Sequence, residues 1–170
     1  MNGDGLATAL TGAVLRSWAH QRDYAQRLVA DLGDDDMVSQ PVARVVMNHP
    51  AWVLSHLTLY SGIVSALVRG QPFDDPLTHR YGRESRPVSD VREYPPKEAL
   101  LAEYLRTHDA VAGALSGLSP AALERGTPLE RWRTRWPRVA DAVIHLMLDH
   151  EAGHLGQVSA WRRAGARPSV

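Results

Sequence analysis

The sequence predicts an all-α protein that folds as one four-helix bundle over residues 1–170. Four segments place apolar residues three or four positions apart, as one face of a helix requires, and no segment shows the alternation of a half-buried strand. The 170 residues, of which 44% are hydrophobic, suit a single domain with its own core. Two long connections between long helices complete the pattern of a bundle.

The first predicted helix runs from about residue 5 to residue 32. Its apolar stripe comprises Leu6, Leu10, Val14, Trp18, Tyr24 and Leu28. Gly33 can end this helix in a left-handed conformation. The acidic run at residues 34–36 is expected to be a solvated loop in preference to a cation site.

The second predicted helix begins at Pro50, which suits a first helical position, and ends at Arg69, before Gly70. One of its faces carries Trp52, Val53, His56, Tyr60, Ile63 and Leu67. The polar stretch 71–96 that follows is too long for a simple connection, so we expect it to be ordered over the protein or to carry function. Its candidate substrate contacts are Asp74, Asp75, His79, Arg80, Tyr81 and Arg83.

The third predicted helix covers about residues 97–118 and the fourth runs from near Pro137 to Ala164, where Gly165 stops it. Between them, Ser119 can cap a short helical turn. The inner stripe of the third helix includes Tyr104 and His108. The inner stripe of the fourth comprises Val143, Met147, His150, His154, Val158 and Trp161.

The fourth helix contains the motif HEAGH, from His150 to His154, which fits the H-E-x-x-H pattern of zinc proteases. Residues four apart on a helix share a face, so both histidines point into the bundle. A buried imidazole needs partners for its ring nitrogens. Two such residues one turn apart favour a metal site.

The third ligand decides the class of site. Residues 155–170 contain no Asp, Glu or His, and the sequence predicts no strands to line a protease cleft, so the protease interpretation fails. His56, on the apolar face of the second helix, is the best upstream candidate. Three histidines leave coordination positions open, as in catalytic sites. His145, nine residues before His154, is expected to point away from the metal.

Four further residues are candidates for supporting roles. Glu151 is rotated by about 100° from His150 and either serves as a catalytic group at a metal-bound water or pairs with an arginine at the bundle seam. Tyr60, His108 and Gln157 are candidates to face the substrate or to orient a ligand, although His108 suits a core position equally well. His49 is expected to cap the second helix and to lie at the surface.

Three segments together resemble the DinB-like superfamily: AWVLSHL around His56, YPPKEALLAEYLR at the third helix, and HEAGHLGQVSAWRRAG. The resemblance covers the whole chain, and Ser55 stands where glycine is common. It implies an up-down-down-up four-helix bundle, often dimeric, in which His56, His150 and His154 hold a divalent metal such as zinc or nickel. Relatives include transferases and isomerases that use low-molecular-weight thiols such as bacillithiol or mycothiol.

The composition of the chain limits which binding partners and which cellular compartment we expect. The net charge is zero, which gives no global field toward nucleic acid or an anionic membrane. There is no cysteine, no signal-peptide pattern and no run of 18 apolar residues, so we expect a cytoplasmic protein without a membrane span.

The leading functional hypothesis is a metal-dependent enzyme for a small-molecule substrate, either a thiol-dependent S-transferase or a hydrolase. The alternative is a non-catalytic bundle that binds a metal or a ligand. All-nitrogen ligation suits zinc, nickel, copper or iron(II), and intrinsic affinity favours several of these metals over manganese.

Overall fold

The structure, a computed structural model, describes residues 3–170, with side chains described from residue 8 onward. The α-helices in this range are α1 (Gly3–Val29), α2 (Asp34–Met37), α3 (Pro50–Arg69), α4 (Lys97–Leu115), α5 (Pro120–Glu124), α6 (Val139–Ile144) and α7 (Glu151–Ala164). A π-helical turn, His145–His150, joins α6 and α7 into one continuous helix. Over the described range, strand-like pairing is limited to an isolated bridge between Gly126 and Arg138. The all-helical class is confirmed, while the up-down-down-up order stays a prediction.

Helix α3 is the central helix of the core, and its ends are where the sequence predicts them. The Nδ1 atom of His49 accepts a hydrogen bond of 3.3 Å from the Trp52 amide, and Gly70 closes the helix in the left-handed region at φ 68°. The expectation that His49 lies at the surface is wrong, because its side chain is fully buried. The helix is long and apolar enough to cross a membrane by length and composition, but it is mostly buried within the protein, as core helices are.

Two hydrophobic clusters form the core. One joins the second half of α1, the first half of α3 and α7, with Leu28, Leu57 and Trp161 among its members. The other joins Trp18, the second half of α3 and the segment from α6 into the π-helical turn, including Met147. The continuous α6–α7 helix therefore contributes to both clusters, and the change from one cluster to the other falls within the turn, after Met147.

Three expectations about the helices need correction. Leu10 is 59% exposed, so the stripe of α1 reaches the core only further along; the side chain of Leu6 lies outside the described residues. Asp34 to Asp36 begin the short helix α2 instead of forming a loop, because Asp36 accepts from the Gly33 amide at 3.1 Å and Asp34 accepts from the Lys97 amide at 2.7 Å. The third long helix ends at Leu115, three residues earlier than expected.

The long connection 71–96 lies over the first half of α3. The Trp52 indole donates to Ser85 Oγ at 3.1 Å, and His49 Nε2 donates to the Val88 carbonyl at 3.1 Å. Gly82 is required for this path, because a Cβ there would lie 1.7 Å from the Pro76 carbonyl oxygen. The expectation that the connection is ordered over the protein is confirmed.

Candidate metal centre

The structure brings His56, His150 and His154 together. One ring nitrogen from each lies within 4.8 Å of the others, and the Nε2 atoms of His56 and His150 are 2.9 Å apart. His56 comes from α3, His150 from the end of the π-helical turn and His154 from α7. Two helices of the core therefore hold the three rings, as the sequence predicts.

Hydrogen bonds orient two of the rings. His56 Nδ1 donates to the Tyr81 carbonyl oxygen at 2.6 Å, and His154 Nδ1 donates to Gln157 Oε1 at 2.9 Å. The same Gln157 oxygen accepts from the Asn48 amide at 2.9 Å. Because a neutral imidazole carries only one proton, these bonds leave the Nε2 lone pairs of His56 and His154 free to bind a cation.

The environment of His150 fits a cation as well. Among the described side chains its buried Nδ1 has no hydrogen-bond partner, and its Nε2 lies against that of His56. A hydrogen bond between the two Nε2 atoms requires that one of them carries its proton, whereas a cation bound by both requires that His150 carries its proton on Nδ1. Burial lowers the pKa of His56 to about 3 and that of His150 to about 2, with the neighbouring histidines adding to the effect. Burial lowers the pKa of His154 as well, so all three rings are in the neutral form that binds metals.

A cavity of about 430 Å³ opens beside the three rings. Tyr60 and Leu146 line it near the histidines, and the connection before α6 adds Trp132 and Trp136. The Tyr60 ring centroid is 4.7 Å from those of both His56 and His150, and burial raises the pKa of its hydroxyl. This volume suits a small molecule.

The expectation that His145 points away from the site is wrong. Its ring lines the cavity, lies 6.2 Å from the His150 ring and stacks on Trp136 at 4.3 Å. The physical reason is the π-helical turn, in which hydrogen bonds join residues five apart. His145 and His150 are five apart, so the turn brings them to one face.

The family model for the DinB superfamily matches residues 17–158, which is most of the chain. The chain belongs to the DinB superfamily. A conserved protein from Enterococcus faecalis has a similar crystal structure, with a TM-score of 0.70 and 12% identity over 92% of this chain and 96% of that one. At this identity the likeness shows the fold alone. No curated relative matches the chain.

Glu151 and His108 occupy a second cluster in this DinB-superfamily chain, away from the cavity lining. The Glu151 carboxylate accepts a hydrogen bond from the Tyr104 hydroxyl, and His108 Nε2 lies 3.3 Å from it without forming an aligned bond. His108 also stacks on Trp18 with ring centroids 3.6 Å apart. Burial and the carboxylate raise the pKa of Tyr104 well above its usual value. We call these residues the Tyr104–Glu151–His108 cluster; no arginine pairs with Glu151 in the described part of the chain.

Sequence reasoning missed several neighbours of the site. The connection before α6 supplies Arg131 and Arg135 as well as two tryptophans, all from the segment RWRTRW. The alternation of arginine and tryptophan in that segment was a signal that could have found them. No sequence pattern marks the Tyr81 carbonyl or the Asn48 side chain, because a backbone oxygen and an amide in a loop become part of a site only through the contacts that the fold makes.

Proposed function

We propose that the protein is a metal-dependent S-transferase acting on a low-molecular-weight thiol, with His56, His150 and His154 as ligands of a divalent ion. Zinc or nickel suits the three imidazoles best, with iron or manganese as alternatives. The observation that carries this proposal is the pairing of Nδ1 in both His56 and His154 with oxygen acceptors. It leaves converging Nε2 lone pairs beside an open cavity.

When bound at such a site, a divalent ion supplies a Lewis acid that lowers the pKa of a coordinated thiol or water toward neutrality. The chain's own residues then have three tasks. Tyr81 and Gln157 hold the imidazoles in the required tautomer, the tryptophans and Leu146 limit access of water, and the cavity holds the substrate. Tyr60, whose raised pKa keeps its hydroxyl protonated, can donate a hydrogen bond to that substrate.

Thiol transfer is favoured over hydrolysis by the lining of the cavity. None of the described residues that line it is acidic, and Glu151 accepts a hydrogen bond from Tyr104 in the core. A hydrolase of this kind commonly uses a carboxylate beside the activated water as a general base. A thiolate, once formed, attacks an electrophile without that assistance.

A non-catalytic metal-binding bundle is the alternative. A structural site is normally closed by a fourth protein ligand. The described side chains contribute three histidines and no fourth histidine, aspartate or glutamate to the group. The open cavity beside them supports catalysis. A homodimer, a cytoplasmic location and the up-down-down-up helix order belong to the same proposal.

The test begins with elemental analysis of protein purified without an affinity tag, because a nickel column can load such a site. The metal-loaded protein is then mixed with monochlorobimane and a series of thiols that includes bacillithiol and mycothiol. We expect stoichiometric metal and metal-dependent conjugation with at least one thiol. His154→Ala should lose both, while His20→Ala, a change at an exposed residue, should keep both. Metal binding without any conjugation would favour the non-catalytic alternative.

A further inference from the structure

The cavity beside the three histidines has a strongly positive wall. Its lining includes Arg83, Arg131 and Arg135, and none of the lining residues is an aspartate or a glutamate. Over the whole chain, basic and acidic residues are equal in number, with 19 of each. A lining with three arginines and no acid therefore departs from the average surface of this protein.

The three guanidinium groups are not equivalent. Arg131 is paired with Asp75, whose Oδ2 lies 2.8 Å from Arg131 Nε, and this pairing lowers the pKa of the carboxyl. Arg83 and Arg135 form no ion pair with any residue of the described chain. Two guanidinium groups at the cavity therefore have no ion-pair partner within the described chain.

Aromatic rings support the arginines of this wall. The Arg135 guanidinium lies 5.3 Å from the centre of the Trp136 ring, and Arg131 lies 5.4 Å from that of Trp132. A guanidinium held over an aromatic face loses less freedom when it binds a ligand, and its planar fork matches the two oxygens of a carboxylate or a phosphate. Both tryptophans also line the cavity, so an apolar ligand body has a surface to pack against.

We propose that the substrate carries an anionic group, a carboxylate or a phosphate, which Arg83 and Arg135 bind while its reactive end faces the three histidines. This inference rests on the proposed function in one respect, that the cavity is the substrate site. Arg131 then contributes mainly as a rigid neighbour, because Asp75 already compensates its charge. A neutral analogue of the same shape should bind less well, since it leaves both free guanidinium groups without a partner.

The test uses isothermal titration calorimetry on zinc-loaded full-length protein with two sets of probes. The first set is benzyl alcohol, benzoate and phenyl phosphate, which share an aromatic body and need no thiol. The second set is 2-mercaptoethanol and 3-mercaptopropionate, a neutral and an anionic thiol. We expect each anion to bind roughly tenfold or more tightly than its neutral counterpart, and the order of benzoate and phenyl phosphate shows which anion the wall prefers.

The double variant Arg83→Gln/Arg135→Gln should reduce this preference to less than about threefold. Arg86→Gln is the matched control, because Arg86 lies on the same connection, is exposed and does not line the cavity. Both changed residues of the double variant are exposed, and circular dichroism should show an unchanged helical content.

The two sets of probes separate the proposals. Equal affinity for charged and neutral members in both sets, or a preference that survives in the double variant, overturns the anionic substrate and leaves the thiol function standing. Failure of both thiols to bind counts against the thiol function. An arginine-dependent preference for benzoate or phenyl phosphate would still support the anionic substrate in that case.

Discussion

His150 and Glu151 are neighbours in the chain, yet they belong to two buried polar clusters of opposite character. The carboxylate of Glu151 is 1% exposed and receives a hydrogen bond from Tyr104 inside a filled core. His150 is half-buried beside a cavity, its Nδ1 has no partner among the described side chains, and its Nε2 lies 2.9 Å from that of His56. A polar group satisfied within the protein stabilises the fold, whereas one left unsatisfied and convergent with others is prepared for a ligand.

Replacement of a histidine in the three-histidine cluster should have the largest effect. His56→Ala or His154→Ala should lower metal affinity by more than about 100-fold, beyond the range for residues that only orient ligands. Free metal at about 100 times its Kd should raise the free energy of unfolding of the parent protein by about 2.7 kcal/mol, and of these variants by much less. Competition with a chromophoric chelator and thermal unfolding with and without metal measure both. Metal content in His154→Ala equal to that of the parent would contradict the site.

The same cluster should make the metal-free protein sensitive to acid. In the unfolded chain a histidine titrates near pH 6.5, whereas burial lowers the pKa of His56 to about 3 and that of His150 to about 2. As the pH falls below 6.5, these histidines bind protons in the unfolded state but not in the folded state, so the free energy of unfolding decreases. The loss should reach about 2 kcal/mol per histidine at pH 5 and continue toward pH 3.

Urea unfolding in the presence of a chelator at pH 7.5 and pH 5 measures this loss. His56→Asn should remove about 2 kcal/mol of the loss at pH 5, because the contribution of that histidine is gone. His49, His150 and His154, whose pKa burial also lowers, keep their contributions, and His20→Ala should leave the whole loss unchanged. A loss in His56→Asn as large as that in the parent protein would sink this explanation.

A change in the Tyr104–Glu151–His108 cluster should lower the stability of the protein and leave its metal affinity nearly unchanged. Tyr104→Phe removes the hydroxyl that donates to Glu151 and leaves a buried carboxylate without that hydrogen bond. The free energy of unfolding should fall by about 1.5–3 kcal/mol, the usual contribution of a hydrogen bond to a charged group. Metal affinity should stay within about threefold of the parent value, since the residue does not line the cavity. A large loss of metal in this variant would show that the two clusters act as one.

Gln157→Ala should have the smallest effect of these substitutions, and the effect should be on metal affinity alone. Gln157 is exposed and acts on the site only through the hydrogen bond that its oxygen accepts from His154. We expect metal affinity to fall about 10–100-fold with little change in the stability of the metal-free protein. Asn48→Ala is the milder companion, because it removes the second donor to the same oxygen. An unchanged affinity in Gln157→Ala would mean that the ring is held by packing alone.

Local signals in the sequence are sufficient to predict the helices that carry the site. Pro50 and Gly70 mark the ends of α3, and helical periodicity places His56, His150 and His154 on inward faces. These are short-range properties of the chain. They determine which face a residue occupies as long as the helix is regular.

The remaining features depend on contacts between distant residues. Glu151 lies in the core because Tyr104, 47 residues earlier, supplies a donor. Asp34 begins helix α2, and its carboxylate accepts a hydrogen bond from the backbone amide of Lys97, 63 residues later. His145 was misplaced for a different reason: its angle follows from a π-helical turn, which periodicity calculated for a regular α-helix does not include.

The π-helical turn also determines how the two parts of the α6–α7 helix, which carries His150 and His154, are rotated about the helix axis. Hydrogen bonds five residues apart accommodate one residue more than an α-helical turn does, so the segment before the turn is rotated relative to the segment after it. The rotated half reaches the cluster around Met147, and the other half reaches the cluster around Trp161. In a regular α-helix, residues five apart differ by about 140°, so a side chain five positions before the first ligand of the motif would point away from it. A histidine five positions before that ligand is a neighbour of the site only where the extra residue is retained.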